Sequence, residues 1–381
     1  MLHSLKIENF RSLEDFQVNK LGRVNLIVGK NNSGKSSVLE ALRIYAGNGN
    51  RELLEKIAQG HDEKHFLDKN LYEGLDTTLP YEDLFTHRTF PEGESPIVIG
   101  EINSIDTELK IHHAYIVEKD YFVTDEQGNK ETLKKPITIT SIDLTTFSKV
   151  LGEGLLIIKN KNATTIDFNL ISPDFRRFVT VGHPIPCSFI PTQLVAMNEL
   201  ANEWDSIALT EAEETVKEAM RIILPDFENL TFVNDSSYTE GKAVRRVAKV
   251  KIKGISRPVP LNSLGDGMLR ILQLVLKIFS AKGGFLLIDE FENGLHYSVQ
   301  EKVWNLLFEL SIKLDIQVFA TTHSWDCIES FAKVAMDKKD IDSVLFRVGK
   351  SVRTSDKGRV ISTVFDQEQL YSITQLDVEV R

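Results

Sequence analysis

Cysteine is nearly absent. Cys187 and Cys327 are the only two in 381 residues, and their wide separation excludes a disulfide scaffold and a cysteine-built metal centre. Cys327 reads as a small buried residue rather than a reactive thiol. A basic excess is missing as well, since 45 Lys and Arg face 55 Asp and Glu for a net charge of −10. Phosphate contacts dominate nucleic-acid affinity, so charge does not indicate a dedicated DNA-binding domain. Only a local patch leaves nucleic acid open: residues 242–253 carry Arg245, Arg246, Lys249 and Lys251 among Val244, Val247, Val250 and Ile252. That pattern suits a half-solvated strand, or a surface for nucleic acid or an acidic protein. No apolar run reaches about 18 residues, and Met1-Leu2-His3-Ser4-Leu5 has no basic-then-apolar leader, so the expectation is a cytoplasmic protein without a membrane segment. Heptads are not sustained over three or four repeats, which argues against a long coiled coil. With 42% hydrophobic and 26% charged residues, the chain can bury a sizeable globular core.

What is present starts with a loop. The apolar run Val24-Asn25-Leu26-Ile27-Val28 leads into Gly29-Lys30-Asn31-Asn32-Ser33-Gly34-Lys35-Ser36, and a helical pattern follows from Ser37 to Leu42. The spacing G-x-x-x-x-G-K-[ST] between a strand and a helix is what a backbone needs to wrap phosphate oxygens with N–H groups. Gly29 and Gly34 permit the tight path. Lys35 reaches the β- and γ-phosphates as a point charge, Ser36 ligates Mg²⁺, and the helix N-terminus adds its dipole. Asn31, Asn32, Ser33 and Ser37 complete the expected phosphate-binding set, with ATP and Mg²⁺ as cofactors.

Three later clusters supply the rest of a nucleotide site. Phe285-Leu286-Leu287-Ile288-Asp289-Glu290 is an apolar run ending in two acids, the pattern of a buried parallel strand opening onto a ligand. Asp289 is the second metal residue, and Glu290 polarises the attacking water as general base. Ile316 to His323 is a further apolar strand, and its terminal histidine is expected at the γ-phosphate. One helical pattern separates these strands, as in a βαβ unit. Leu261-Asn262-Ser263-Leu264-Gly265-Asp266-Gly267-Met268 opens a helix, and a glycine loop at a helix N-terminus is a second anion site, although such a loop is also common capping chemistry.

At these places the chain resembles the ATP-binding-cassette (ABC) type of ATPase domain, in the branch that includes RecF-like and SMC-like repair ATPases and the overcoming-lysogenization-defect (OLD) family. Lys35 and Ser36 match Walker A, Asp289 and Glu290 Walker B, and Ser263 with Gly265 the signature loop. Glu292-Asn293-Gly294-Leu295-His296 resembles the D-loop, and His323 the switch histidine. The opening Leu5 to Ser12 is also typical of the branch, in which Arg11 approaches the bound phosphates. Gln193 is the nearest position for the glutamine loop. The signature departs from Leu-Ser-Gly-Gly-Gln, and Phe291 stands where proline is usual. The resemblance implies an α/β ABC-type P-loop head with a mixed sheet, a flanking antiparallel β-sheet and a helical insertion. It also implies a head-to-head homodimer or higher homo-oligomer, in which the signature of one subunit closes on ATP held by the other.

The segments between the motifs refine this. Ile97 to Ile102, Leu109 to Val117 and Pro136 to Thr140 read as strands, with a turn at Asp125-Glu126-Gln127-Gly128-Asn129. Ala201 to Asp226 reads as helical, with a cap near Leu209-Thr210-Glu211 and a stop at Pro225. The expected division is 1–200 for an N-terminal ATPase lobe, 201–260 for a helical arm with connecting strands, and 261–381 for a C-terminal ATPase lobe. Residues 324–381 are too few for the Toprim nuclease domain of OLD nucleases, so any nuclease effector is expected on a separate chain, as in the PARIS anti-phage system, whose ATPase subunit this chain resembles. The reading is therefore an ATPase acting as sensor or scaffold for a separate effector in phage defence. The alternative is a RecF-like repair ATPase that clamps duplex DNA.

Overall fold

The computed structural model describes residues 1–61, 63, 65–66, 77–78, 80–91, 95–104, 107–124, 130–140, 149–168, 181–235, 245–366 and 369–370. The chain opens with β1 (Leu5–Phe10), β2 (Leu13–Val18) and β3 (Val24–Val28), followed by α1 (Lys35–Ala46) and α2 (Arg51–Gly60). A short pair, β4 (His65–Phe66) and β5 (Thr77–Thr78), precedes β6 (Ile97–Gly100), β7 (Leu109–Thr124), β8 (Lys130–Ile139), β9 (Lys149–Lys159) and β10 (Asn162–Asp167). Next come β11 (Cys187–Ile190), α3 (Met197–Ile207), α4 (Glu211–Ile223), β12 (Phe227–Asn234), β13 (Arg246–Ile252) and β14 (Val259–Pro260). The chain continues through α5 (Asp266–Ser280), β15 (Phe285–Ile288), α6 (Tyr297–Lys313), β16 (Gln317–Thr322), α7 (Trp325–Asp337), β17 (Ser343–Lys350) and β18 (Val360–Phe365).

The central sheet has the order β11-β15-β16-β3-β17-β18. All its pairs are parallel except β17 with β18. Its inner strands are largely apolar and buried because both faces are covered. Val24, Leu26 and Val28 face a core shared with α3 to α7, while Ile27, Leu287 and Phe319 face a second core shared with α1 and the antiparallel sheet. Strand β3 lies between β16 and β17, so the expected segments 1–200 and 261–381 are interleaved in one sheet. The amino ends are sealed by amides. Gln317 donates to the carbonyls of Leu2 and Gly22 and accepts from the Leu2 N–H, and Asn25 makes the same kind of clamp on Gly22.

The flanking antiparallel sheet runs β10-β9-β7-β6-β1-β2, with β8 also on β7. Strands β7 and β8 are longer than their sequence patterns indicate and stay paired from Tyr115↔Ile139 to Thr124↔Lys130. The turn expected at 125–129 lies outside the described residues.

The helical stretch expected over 201–226 is two helices. It breaks at Leu209, whose φ is 64°. Thr210 caps α4 by accepting from the Ala212 N–H, and Glu213 reaches back to accept from the Leu209 N–H, a capping arrangement that fixes the break. Leu200, Trp204, Val216 and Met220 are buried in the core shared with α5 to α7. The segment therefore lies on the sheet face, where burying these four side chains outweighs projecting them into water as an arm. In β13 a period of two buries Ala248, Val250 and Ile252 and leaves Val247 half-buried. Arg246 pairs with Asp205 and Lys251 with Glu228, and residues 242–244 of the basic stretch lie outside the described residues. No helix among the described residues is long and apolar enough to cross a membrane.

Candidate functional site

Three neighbouring parallel strands, β15, β16 and β3, deliver Asp289–Glu290, His323 and the 29–36 loop to one edge of the sheet. This is the carboxyl-end crevice where open α/β sheets bind ligands. The loop is held close to its floor. A Cβ at Gly29 would meet the Val348 carbonyl oxygen at 2.3 Å, and Gly34 has φ 104°. Helix α1 begins at Lys35, so the free N–H groups of its first turn face the loop. Lys35 is buried and its Nζ donates to the Gly29 and Lys30 carbonyls at 2.7 and 3.0 Å. Burial lowers its pKa, and the charges of Asp289, Glu290 and Glu292 oppose that shift. Asn31 and Asn32 are exposed, and Ser37 is half-buried.

The donor set fits a nucleoside triphosphate with Mg²⁺. The Ser33 hydroxyl is buried and has no hydrogen-bond partner among the described residues. Ser36 Oγ lies 3.4 Å from an Asp289 carboxylate oxygen, well beyond the usual hydroxyl–oxygen distance. Ser36 and Asp289 would hold the metal, which when bound draws charge from the phosphate oxygens.

Asp289 accepts from Thr321 Oγ1 at 2.7 Å, and the same hydroxyl oxygen accepts from the Glu290 N–H at 2.9 Å. Glu290 has φ 46°, an uncommon conformation for a side-chain-bearing residue. His323 is fastened to Glu292 rather than to Glu290. The Glu292 carboxylate accepts from Thr322 Oγ1 at 2.7 Å and from the His323 N–H at 3.0 Å, and lies 3.0 Å from His323 Nδ1. Glu290 stands 3.9 Å from the same ring nitrogen. Beneath the two acids, Arg270 of α5 donates to the carbonyls of Pro191, Asp289 and Glu290 at 2.7, 2.9 and 3.0 Å. Burial lowers its pKa to about 10, with the Asp289, Glu292 and Glu290 charges opposing. Phe291 is fully buried and stacks on Trp304 at 3.9 Å, which accounts for an aromatic residue at that place.

Lys35, Ser36, Asp289, Glu290 and His323 are thus brought together. Arg11, expected at the phosphates, is engaged elsewhere. Its turn borders the loop, with Ser12 Oγ 3.4 Å from a Cβ at Gly34. Yet its guanidinium is bidentate to Glu63 and 3.0 Å from Glu40, which also binds His61. A mostly buried guanidinium takes the carboxylates within reach, and these two acids neutralise it. Ser263 and Gly265 are exposed, and no hydrogen bond or ion pair among the described residues joins them to the loop. Gln193 is exposed just past β11, one residue after Thr192, whose carbonyl accepts from Asn293. The sequence reading missed Arg270, Thr321 and the holding role of Glu292. A lone arginine inside the apolar pattern of α5 was the available signal for the first.

Residues 1–328 match the model of the AAA ATPase domain family. The ATP/GTP phosphatase of Helicobacter pylori is 25% identical over 358 residues, covering 89% of each chain. The OLD nuclease of Thermus scotoductus is 22% identical over 94% of this chain and 65% of its own length. RecF of Shewanella woodyi is 34% identical over 111 residues, 29% of this chain and 26% of RecF. A solved SMC head bound to the C-terminal winged-helix domain of ScpA overlays at TM-score 0.48 with 12% identity, over 97% of this chain and 99% of that one. The phosphate loop, the paired acids and a histidine meet at one sheet edge, and the family model matches most of the length: the chain belongs to the AAA ATPase domain family and is an ATPase, similar in sequence to OLD nuclease and RecF.

Proposed function

We propose that two copies of this chain close head to head around two ATP–Mg²⁺ pairs, and that this ATP-driven closure signals to a separate effector protein in cytoplasmic phage defence. The observation that carries the dimer is the separation of the two half-sites. Ser263 and Gly265 sit exposed at the N-terminus of α5 and make no bond to their own phosphate loop. A helix N-terminus offers N–H donors and a positive dipole to an anion, so a second copy supplies the phosphate that this one leaves unmatched. The D-loop lies beside it, since a Cβ at Gly267 would meet the Gly294 carbonyl at 3.0 Å.

In this reading Lys35, with the 29–36 backbone, Asn31, Asn32, Ser33 and Ser37, holds the phosphates. Glu290 accepts the proton of the attacking water. Glu292 fixes the His323 ring, which contacts the γ-phosphate. The effector role rests on the resemblance of the motifs to ATPases of the OLD kind. Glu290→Gln keeps the cradle and removes the base, so it should accumulate an ATP-bound dimer. Light scattering of that variant with and without ATP and Mg²⁺ is the test. A mass that ignores ATP sinks the dimer. ATP-dependent binding of duplex DNA that weakens steeply with salt would replace the effector role with a DNA clamp.

A further inference from the structure

A cleft of about 580 Å³ lies along the outer edge of the central sheet. One wall is the end of α1 and the start of α2, with Arg43, Leu53 and Lys56, and the other is α3 and α5, with Glu199 and Lys277. The floor is β11, the last strand of the sheet, with no strand beyond it among the described residues. Phe285 and Asp289 of β15 donate to the carbonyls of Pro186 and Ile190. In a parallel ladder that parity turns the N–H and C=O groups of Cys187 and Phe189 outward, toward the cleft. At about 3.3 Å per residue, β11 presents roughly 13 Å of unpaired edge.

The charges in the cleft are not all alike. Lys56 pairs with Glu52, and Lys277 pairs with Glu199 and Glu203. Arg43 stands apart. Its guanidinium lies 4.2 Å above the Phe189 ring and makes no hydrogen bond or ion pair among the described residues. Burial is the main cause of its lowered pKa, with Cys187 and Glu40 opposing. Stacked arginines present a planar fork of donors that matches a carboxylate. One unmatched cation suits one carboxylate, whereas a nucleic-acid backbone would require several.

We propose that this cleft binds an extended acidic segment of a partner protein, which adds to β11 as a further strand and places a glutamate or aspartate on Arg43. In a paired strand the residue opposite Phe189 points to the same face as Phe189, which is the face Arg43 covers. Main-chain bonds to Cys187 and Phe189 supply affinity, and the Arg43 pair supplies selectivity. The upper end of the cleft is Pro191, whose carbonyl Arg270 holds together with those of Asp289 and Glu290. The inference does not depend on dimer closure or on nucleotide turnover.

The probe is a fluorescein-labelled peptide, Thr-Val-Thr-Glu-Thr-Val-Thr, with a version carrying Lys for Glu and a version N-methylated at alternate amides. Binding is read by anisotropy and by residue-resolved hydrogen exchange on the full chain. The Glu peptide should bind about tenfold tighter than the Lys peptide, and Arg43→Gln should remove that preference. Arg43→Lys, which keeps the charge without the fork, should retain part of it. Binding should slow exchange at Cys187 and Phe189 and leave Ser188 unchanged, and N-methylation should abolish it. Equal affinity for the Glu and Lys peptides overturns the proposal, as does binding without protection of those two amides. No binding to a folded chain that still binds ATP overturns it as well.

Discussion

The two sheets hold buried polar groups in different ways. In the central sheet amides clamp the amino ends, and at the carboxyl ends Thr321, Thr322, Glu292 and Arg270 bind each other's neighbours and fix two acids and a histidine. In the flanking sheet a buried cation, Lys159, is tied to a local turn. Its Nζ donates to the Tyr45 carbonyl at 2.9 Å and to Asn48 Oδ1 at 2.8 Å, and it lies 3.8 Å from the Tyr45 ring centroid. Both Arg270 and Lys159 lose proton affinity by burial, to about 10 and about 8. The arginine stays charged at neutral pH and serves the site as a fixed strut. The lysine sits close enough to neutrality to gain and lose its proton. Burial without a bound carboxylate is thus a positioning device in one sheet and a pH-sensitive weak point in the other.

Four substitutions sharpen the contrast. Lys35→Ala should eliminate ATP binding, because the only cation in the loop's floor is gone; calorimetric titration with ATP and Mg²⁺ checks it, and retained affinity removes the phosphate-loop assignment. Arg270→Met leaves the Pro191 and Asp289 carbonyls without their donor, while that of Glu290 keeps the Asn293 N–H, and each buried group left unpaired costs about 1–3 kcal/mol. A loss of about 3 kcal/mol by denaturant unfolding is expected, together with slower hydrolysis from displaced Asp289 and Glu290. Glu292→Gln keeps an acceptor for Thr322 but loses the charge on His323, so kcat should fall about tenfold with KM nearly unchanged, if the ring acts only after binding.

Lys159→Met lies away from the nucleotide site and should have the smallest effect on turnover; it loses the bonds to Tyr45 and Asn48, and its distinguishing mark is stability against pH. The native pKa of about 8 lies below the ordinary 10.5, so between these values the unfolded chain holds a proton that the native chain has released. Raising pH through that window therefore favours the native state. The parent should gain stability from pH 8 toward 10.5, and the variant should lack that gain when thermal unfolding is followed across the window.

Much of the site was legible because it depends on local spacing. Gly29, Gly34, Lys35 and Ser36 carry their geometry within eight residues. Phe285 to Glu290 and Ile316 to His323 each announce a buried strand that ends in a functional group. The pairing of Arg11 is not readable, because its partners, Glu40 and Glu63, are separated from it by 29 and 52 residues and share no local pattern with it. The break at Leu209 was half visible, since the cap at Thr210 is readable while the register of α3 and α4 on the sheet is not. The holding of His323 by Glu292 is a contact across 31 residues, and only the adjacency of β15 and β16 creates it.

By itself the sequence determined the phosphate loop, the identity of the paired acids and the histidine at the end of its strand, because each follows from residue types at short spacing. The tertiary structure alone decided that β3 enters between β16 and β17, that Arg270 braces the two acids, that Arg11 is taken by Glu40 and Glu63, and that β11 is the edge strand beside Arg43 among the described residues. Those outcomes depend on which distant segments share a face, and packing of the sheet's two cores selects among pairings that the linear order leaves equally available.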